Sequence, residues 1–200
     1  MWPELSQRLE GRLVALEPLR AEHEARLRAA AADDAIWRWM QIDGSTRDGF
    51  DRWFAHALRE ASLGTEAPFV TIDSSRRDVL GSTRFMCLRP EHRGVEIGNT
   101  WLVGSAWGGG GNIEAKLLML EHAFERCGCI RAEFKTDARN ERSRAALAAL
   151  PARFEGLFRK HMLVQGGRVR DSAYYAIVDE DWPEVRASLE RRLEAKLRAR

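Results

Sequence analysis

The stretch that decides the fold is a run of four glycines between a strand-like and a helix-like segment: Trp107-Gly108-Gly109-Gly110-Gly111-Asn112-Ile113-Glu114-Ala115-Lys116. Glycine lets a backbone approach a ligand closely, because it has no side chain. The first turn of the following helix has four N–H groups without intrahelical partners and a partial positive charge. This arrangement is typical of a phosphate-binding loop, so we expect a phosphorylated ligand.

Two common phosphate-binding loops do not match the glycine run. A Walker A loop needs Gly-Lys followed by Ser or Thr, whereas Asn112 follows the last glycine here and Lys116 lies a full turn into the helix. A dinucleotide-binding loop follows the first strand and has a third spaced glycine, and this run has neither property. A flexible linker is the alternative, but helical periodicity resumes at once after the run.

Composition favours one globular domain over residues 1–200. The chain is 44% hydrophobic and 31% charged, with a net charge of +2, which favours neither nucleic acid nor an anionic membrane as partner. No apolar stretch reaches the roughly 20 residues of a membrane span, and the N-terminus lacks a secretory signal pattern, so we expect a cytoplasmic protein. The three cysteines have no second Cys pair or spaced His pair to complete a zinc site, so no metal is expected.

Hydrophobic periodicity predicts an α+β protein with a mixed, mostly antiparallel sheet, a central β-α-β unit and flanking helices. After a first strand at 12–18, helices dominate residues 20–62. They are predicted at 21–32, in a short segment capped by Asp33-Asp34, and at 47–62. A short-linked meander of strands follows, and then strand, glycine loop, helix and strand in that order. The predicted strands are 69–72, 79–88, 94–102, 130–137, 154–158 and 169–178, and the later helices are 112–126, 141–150 and 182–200.

Strand 94–102 carries one carboxylate out of the usual core register. Side chains alternate along a strand, so two opposite faces are predicted. One face carries Val95, Ile97, Asn99 and Trp101, and the other carries Glu96, Gly98, Thr100 and Leu102.

The order of these elements and two motifs carry a family resemblance. The motifs are Trp107-x-x-Gly110-x-Asn112-x-Glu114-Ala115 and, after the next strand, Asp137-x-x-Asn140-x-x-Ser143. Together they resemble the GNAT superfamily of N-acetyltransferases, and within it the RimJ/RimL branch, over residues 13–178. The resemblance implies transfer of an acetyl group from acetyl-CoA to a primary amine, either a protein N-terminus or a small molecule, by direct attack.

The resemblance also implies where ligands bind. Residues 20–62 would form the acceptor side and residues 79–150 the cofactor-binding core, with 182–200 as a C-terminal helix. Acetyl-CoA would lie between strands 94–102 and 130–137, with its pantetheine arm along the backbone of residues 100–103. The implied cofactor-binding residues are Trp101, Leu102, Val103, Gly108, Gly109, Gly110, Gly111, Asn112, Ile113, Asn140 and Ser143, and the implied substrate-binding residues are Trp37 and Trp39.

For this reaction Glu96, the one carboxylate within its strand, is the candidate general base. The resemblance to the RimJ/RimL branch, which often has a serine at this position, implies Ser143 as the acid for the leaving thiolate. The alternatives stay open: Glu96 as a strand glutamate paired with Arg84 or Arg93, Ser143 as a helix hydroxyl bonded to a carbonyl, and Asn140 as an N-cap. A non-catalytic acyl-CoA-binding or regulatory module of the same fold is the alternative function, and a domain without any cofactor is a third. A homodimer is expected from the frequency of such assemblies.

Overall fold

One eight-stranded sheet organises the protein in the computed structural model, which describes residues 2–199. The strand order is β1-β2-β3-β4-β5-β6-β8-β7. Neighbouring strands are antiparallel except for the parallel pair β5 and β6, which confirms the predicted α+β class with a mixed, mostly antiparallel sheet. The strands are β1 Leu9–Glu10, β2 Val14–Pro18, β3 Ala67–Asp73, β4 Val79–Arg89, β5 Gly94–Leu102, β6 Arg131–Asp137, β7 Arg153–Val164 and β8 Arg168–Val178.

In the described part of the chain five α-helices flank the sheet: α1 Glu24–Ala30, α2 Arg47–Leu63, α3 Gly111–Glu121, α4 Glu141–Ala149 and α5 Trp182–Arg198. The predicted helix over 21–32 is shorter in the structure, because residues Ala21–His23 form a 3-10 turn. The segment after it also forms only a 3-10 turn, Asp34–Ile36, where the Asp33 carboxylate accepts a hydrogen bond from the Ala35 N–H. Arg200, the predicted end of the last helix, lies outside the described residues.

An apolar cluster beside α2 fills one face of the sheet. Thr46 Oγ1 caps α2 by accepting from the Gly49 N–H at 3.1 Å, and the helix ends at Gly64 with a left-handed φ of 69°. Its stripe of Phe50, Trp53, Phe54 and Ala57 is buried, as its helical spacing predicts. This cluster also contains Trp37, Trp101, Val70 and Ile72.

A second and larger cluster contains the apolar residues of α3 and α5 and the opposite faces of the central strands. Its members include Phe85, Val95, Ile97, Met119, Phe134 and Leu189. The helix predicted over 112–126 is α-helical to Glu121 and then continues as a π-helical turn, His122–Arg126.

Glu114 fixes α3 against the start of β2. Its carboxylate is 3% exposed and accepts three backbone N–H groups, from Arg12 at 2.8 Å, Leu13 at 2.6 Å and Val14 at 2.8 Å. A Cβ on Gly11 would lie 2.4 Å from this carboxyl carbon. The backbone at Gly11 therefore passes so close to Glu114 that a side chain would not fit there. These bonds hold the first turns of α3, and with them the glycine loop, in one position relative to the sheet. Within residues 2–199, no helix combines the length and apolarity that crossing a bilayer requires.

Candidate active site

The site begins where β5 and β6 separate. The two strands pair only at Gly94 with Arg131, Val95 with Ala132 and Glu96 with Glu133. Beyond Glu96 they diverge, and a cavity of about 560 Å³ lies beside both strands. The cavity wall combines the α2 side of the sheet with the first turns of α3 and α4 and one face of α5. This gap lies between the two strands that the family resemblance indicates for the cofactor.

The glycine loop lies at one end of the cavity. Gly108 and Gly110 have φ values of 74° and 94°, a region that side chains rarely adopt. Gly110 is the N-cap of α3, and no described side chain caps this helix. A Cβ on Gly110 would lie 3.0 Å from Leu13 Cδ1 and 3.1 Å from Lys196 Cβ, so only glycine fits here without adjustment. The arrangement presents backbone N–H groups at a helix N-terminus and suits a pyrophosphate.

Basic side chains from two helices surround this end of the cavity. The Arg142 guanidinium of α4 lies 3.7 Å from the ring centre of Trp107, whose indole N–H donates to the Leu102 carbonyl at 2.9 Å. Arg192 and Lys196 of α5 also line the cavity. These cations reinforce the positive potential of the α3 N-terminus. Local sequence patterns did not indicate the two α5 residues, because only tertiary packing brings them to the loop.

Glu96 lies in the cavity wall on the predicted face. A Cβ on Gly98 would meet Met86 Sδ at 2.9 Å and Glu96 Oε1 at 3.0 Å, so these groups share one side of the sheet. Glu96 is 3% exposed, and its Oε2 accepts from Lys135 Nζ at 2.9 Å. The partner is therefore Lys135, and not Arg84 or Arg93, the arginines named in the alternative; Arg84 pairs with Glu66 instead. Burial disfavours the Lys135 ammonium, but the Glu96 carboxylate outweighs it and raises the pKa of Lys135 above its ordinary value.

The predicted alternation along β5 fails after Gly98. Arg84 lies opposite Gly98, and Ser82 lies opposite Trp101, so β5 has one extra residue between the two pairs. This β-bulge contains Asn99, whose φ is 50°. The extra residue reverses the faces, so Trp101 lies on the Glu96 side, in the cluster beside α2, and not with Val95 and Ile97 as expected. The same reversal puts Asn99 on the side of α2, where it contacts Trp53. Leu102 lies in the larger cluster on the opposite side, and the Thr100 hydroxyl contacts that of Thr83.

Asn140 and Ser143 lie together at the N-terminus of α4. The Asn140 side chain accepts from the Ser143 N–H at 3.1 Å, so the expected N-cap role of Asn140 is present. The Ser143 side chain is half-buried and lines the cavity. No hydrogen bond joins its hydroxyl to any residue in the described part of the chain, so the alternative of a bond to the preceding turn is not formed.

The cavity brings together most of the predicted site residues. Its wall contains Trp37, Trp39, Glu96, Trp101, Leu102, Gly108, Gly110, Asn112, Ile113, Asn140 and Ser143. Val103, Gly109 and Gly111 do not line it. The Val103 N–H donates to the Leu80 carbonyl at 2.8 Å, so it is used within the sheet, and Gly111 lies against Val14. Trp37 also belongs to the core, since it is 1% exposed and donates to the Ala31 carbonyl at 2.8 Å.

Lys116 also lines the cavity, although no sequence motif indicated it. It is 9% exposed, its Nζ lies 3.2 Å from Thr100 Oγ1, and it is 5.4 Å from the centre of the Phe134 ring. No salt bridge connects it to a carboxylate of the described residues. Burial lowers the pKa of Lys116 to about 7. The available signal was a lysine one turn into a mostly apolar helix. Helical periodicity could not show that this lysine lacks an acidic partner.

No group of three or more His, Cys, Asp or Glu side chains within residues 2–199 is arranged to hold a metal ion. The cavity, its glycine loop and its basic rim instead match a long phosphorylated cofactor with an extended arm.

Comparisons with known proteins agree with this geometry. Residues 13–152 match the family model described as an acetyltransferase (GNAT) domain. No curated protein matches the sequence. Among solved structures, a GCN5-related N-acetyltransferase from Brucella melitensis is 31% identical, with 94% of this chain and 86% of that chain covered and a TM-score of 0.85. A candidate acetyltransferase from T. thermophilus is 35% identical, with 94% and 97% covered and a TM-score of 0.82.

A third solved structure is that of Mycobacterium smegmatis RimJ in complex with CoA-disulfide. The two sequences are 25% identical, and the alignment covers 94% of this chain and 95% of the RimJ chain with a TM-score of 0.79. The family match covers well over half of the chain and includes the glycine loop, Glu96 and the start of α4. The chain therefore belongs to the GNAT family of acetyltransferases, enzymes that use acetyl-CoA.

Proposed function

We propose that this protein transfers an acetyl group from acetyl-CoA to a primary amine, with Glu96 as general base and Ser143 as general acid. The observation that carries the proposal is the single cavity that joins the uncapped N-terminus of α3 to the Glu96 carboxylate, alongside the gap between β5 and β6. The glycine loop and α3 N-terminus would hold the pyrophosphate, with Arg142, Arg192 and Lys196 contributing charge. When bound, acetyl-CoA supplies the acetyl group as an activated thioester.

Glu96 is suited to remove the proton from an acceptor ammonium. Its Oε2 is engaged by Lys135, while its Oε1 lies on the side of Gly98, in the cavity wall. A cation at Lys135 keeps the carboxylate oriented, and the buried position keeps competing water away. The amine then attacks as a free base, which is the reactive form.

Ser143 is suited to deliver a proton at the opposite end of the reaction. Its hydroxyl has no partner among the described residues, and the backbone that carries it is fixed because the Ser143 N–H donates to the Asn140 side-chain oxygen. This hydroxyl can donate a proton to a departing sulfur without first breaking another bond, and a proton from solvent then restores it.

The RimJ/RimL branch is the part of the family that this proposal favours. Two features support it: the Asp137-x-x-Asn140-x-x-Ser143 motif and the 25% identity to M. smegmatis RimJ over 94% of the chain. The acceptor would then be an α-amine of a protein N-terminus or of a small molecule.

Calorimetry with acetyl-CoA and an assay for free thiol with a panel of amines test the proposal. We expect binding in the micromolar range and thiol release that depends on the amine. Absence of binding at millimolar acetyl-CoA would refute the proposal, and binding without amine-dependent thiol release would favour the non-catalytic module.

A further inference from the structure

Arg84 is a buried cation with two unused donors. It lies on β4 and is 1% exposed, and its Nη1 donates to Glu66 Oε2 at 2.6 Å. Its Nε and Nη2 are buried and have no hydrogen-bond partner among the described residues. Buried donors of a charged group that lack a partner destabilise the folded protein. Such a group is rarely retained without a ligand or another reason for it.

The two unused nitrogens form one side of the guanidinium. Nε–H and an Nη2–H point in nearly the same direction, and this fork matches the two oxygens of a carboxylate. The Trp53 ring lies 5.6 Å from the guanidinium carbon and can stabilise the charge through its face. A ring face does not satisfy the N–H groups at the guanidinium edge, so the fork still lacks an acceptor.

Trp101 provides a third unused donor on the same side of the sheet. Its indole N–H is buried and unpartnered within the described chain. Ser82 pairs with Trp101, and Arg84 pairs with Gly98. The side chains of Arg84 and Trp101 therefore lie on the face of the sheet that carries Glu96. Arg84, Trp101 and Glu96 all line the same cavity. The Asn99 side-chain oxygen, also in this wall, accepts instead from Trp53 Nε1 at 3.3 Å.

This part of the cavity therefore has unused donors, on Arg84 and Trp101, on the same side of the sheet as the carboxylate of Glu96. A ligand that fits both must bring an anionic acceptor group to Arg84 and Trp101 and an ammonium to Glu96. Arg84 and Glu96 are diagonal neighbours across the β4–β5 pair, which places their backbones about 7–8 Å apart. One small molecule can therefore contact both side chains.

We propose that the acetyl acceptor is a small amino acid-like amine, whose carboxylate binds the Nε and Nη2 fork of Arg84 and the indole N–H of Trp101. The inference rests on the proposed function, since it places the acceptor amine at Glu96. It favours a free amino acid over a protein N-terminus, because the first residue of a protein has a peptide carbonyl in place of the carboxylate.

Binding and turnover are measured with a panel of common amino acids and their carboxamides. Calorimetry on the protein saturated with CoA gives the binding preference without turnover, and thiol release with acetyl-CoA gives kcat/KM. We expect at least one amino acid to be preferred over its carboxamide by about 100-fold or more, since a site built for a polar group rejects an analogue that lacks it.

Two variants separate recognition from folding. The double variant Arg84→Gln with Glu66→Gln removes the buried pair together, so neither charge is left alone. Trp101→Phe removes the indole N–H and keeps an aromatic ring. Both should lower the preference for the carboxylate, the double variant to within about threefold of unity, and both should do so mainly through KM for the amino acid.

Equal affinity of the wild-type protein for amino acids and carboxamides would overturn the inference, as would a preference that the double variant retains. Neither of these two results would contradict the proposed function. That function fails only if acetyl-CoA does not bind or if no amine promotes thiol release. The inference is also overturned if none of the panel members binds to the complex of the protein with CoA.

Discussion

Lys135 Nζ donates to Glu96 Oε2 at 2.9 Å, across the point where β5 and β6 stop pairing. The side chains of the pair are 12% and 4% exposed, so the two charges are largely removed from water. A buried pair of this kind contributes little net stability, but removal of one partner leaves an uncompensated charge. The pair therefore holds the candidate base at the mouth of the gap between the strands.

Replacement of this carboxylate by an amide should stop proton transfer. For Glu96→Gln we expect kcat to fall by about 10²–10⁴, the usual contribution of a general base, with acetyl-CoA affinity unchanged. Thiol release and calorimetry measure the two quantities. Glu133→Gln is the matched control, since Glu133 pairs with Glu96 in register but contacts Arg89 and Arg131.

Stability must be separated from catalysis in this experiment, because Glu96→Gln leaves Lys135 without its counter-ion. The double variant Glu96→Gln with Lys135→Gln restores charge balance. It should recover thermal stability and remain inactive. Recovery of activity in the double variant would exclude Glu96 as the base.

The buried amine of Lys116 should make stability depend on pH. Burial lowers its pKa to about 7, from an ordinary value of 10.5. Between these values the unfolded chain binds a proton that the folded chain does not, so the contribution of Lys116 to the free energy of unfolding rises with pH. The slope approaches about 1.4 kcal/mol per pH unit. Below pH 7 the full cost of the buried charge is present.

Lys116→Met removes this titration. The variant should be more stable than the wild-type protein at pH 6.5, and its advantage should narrow by pH 9.5. Urea denaturation at both pH values measures the difference. Lys160→Met, at an exposed position, should show no such change. Parallel stability curves for wild type and Lys116→Met would contradict the assignment of a titrating buried amine.

Loss of the Glu114 carboxylate should destabilise the whole fold. Glu114→Gln replaces an acceptor of three backbone N–H groups with one oxygen and one NH2 group, which opposes the N–H donors. We expect a loss of about 3 kcal/mol in the free energy of unfolding. The same substitution at Glu190, which is exposed and paired with Arg186 on α5, should change stability by less than about 1 kcal/mol. Denaturant midpoints compare the two variants.

A side chain at Gly110 should weaken cofactor binding. Gly110→Ala places a Cβ at a φ of 94° and 3.0 Å from Leu13 Cδ1. The left-handed conformation alone costs an alanine about 1–2 kcal/mol, so the loop is expected to rearrange and the Kd for acetyl-CoA to rise about tenfold. Gly104→Ala is the control, because its Cβ would meet only Asp33 Oδ2 at 3.6 Å. Equal Kd values for the two variants would show that the Gly110 conformation is unimportant for binding.

Local sequence patterns predicted the parts of this protein that depend on neighbouring residues. The apolar stripe of α2, the alternation of Val95, Glu96 and Ile97, and the helix after the glycine loop all follow from periodicities of 3.6 and 2 residues. The pattern failed at Asn99, because a single inserted residue reverses a period of two and leaves no mark in hydrophobicity.

The residues that complete the candidate site come from distant parts of the chain. The sequence by itself determined the glycine loop, the family motifs and the candidate carboxylate. Only the tertiary structure decided that Lys135 pairs with Glu96, that three N–H groups from residues 12–14 bind Glu114, and that Arg84 keeps two donors unused. The physical reason is range: helix and strand periodicity reports contacts within a few residues, whereas these contacts span between 18 and 102 positions and depend on the order of strands in the sheet.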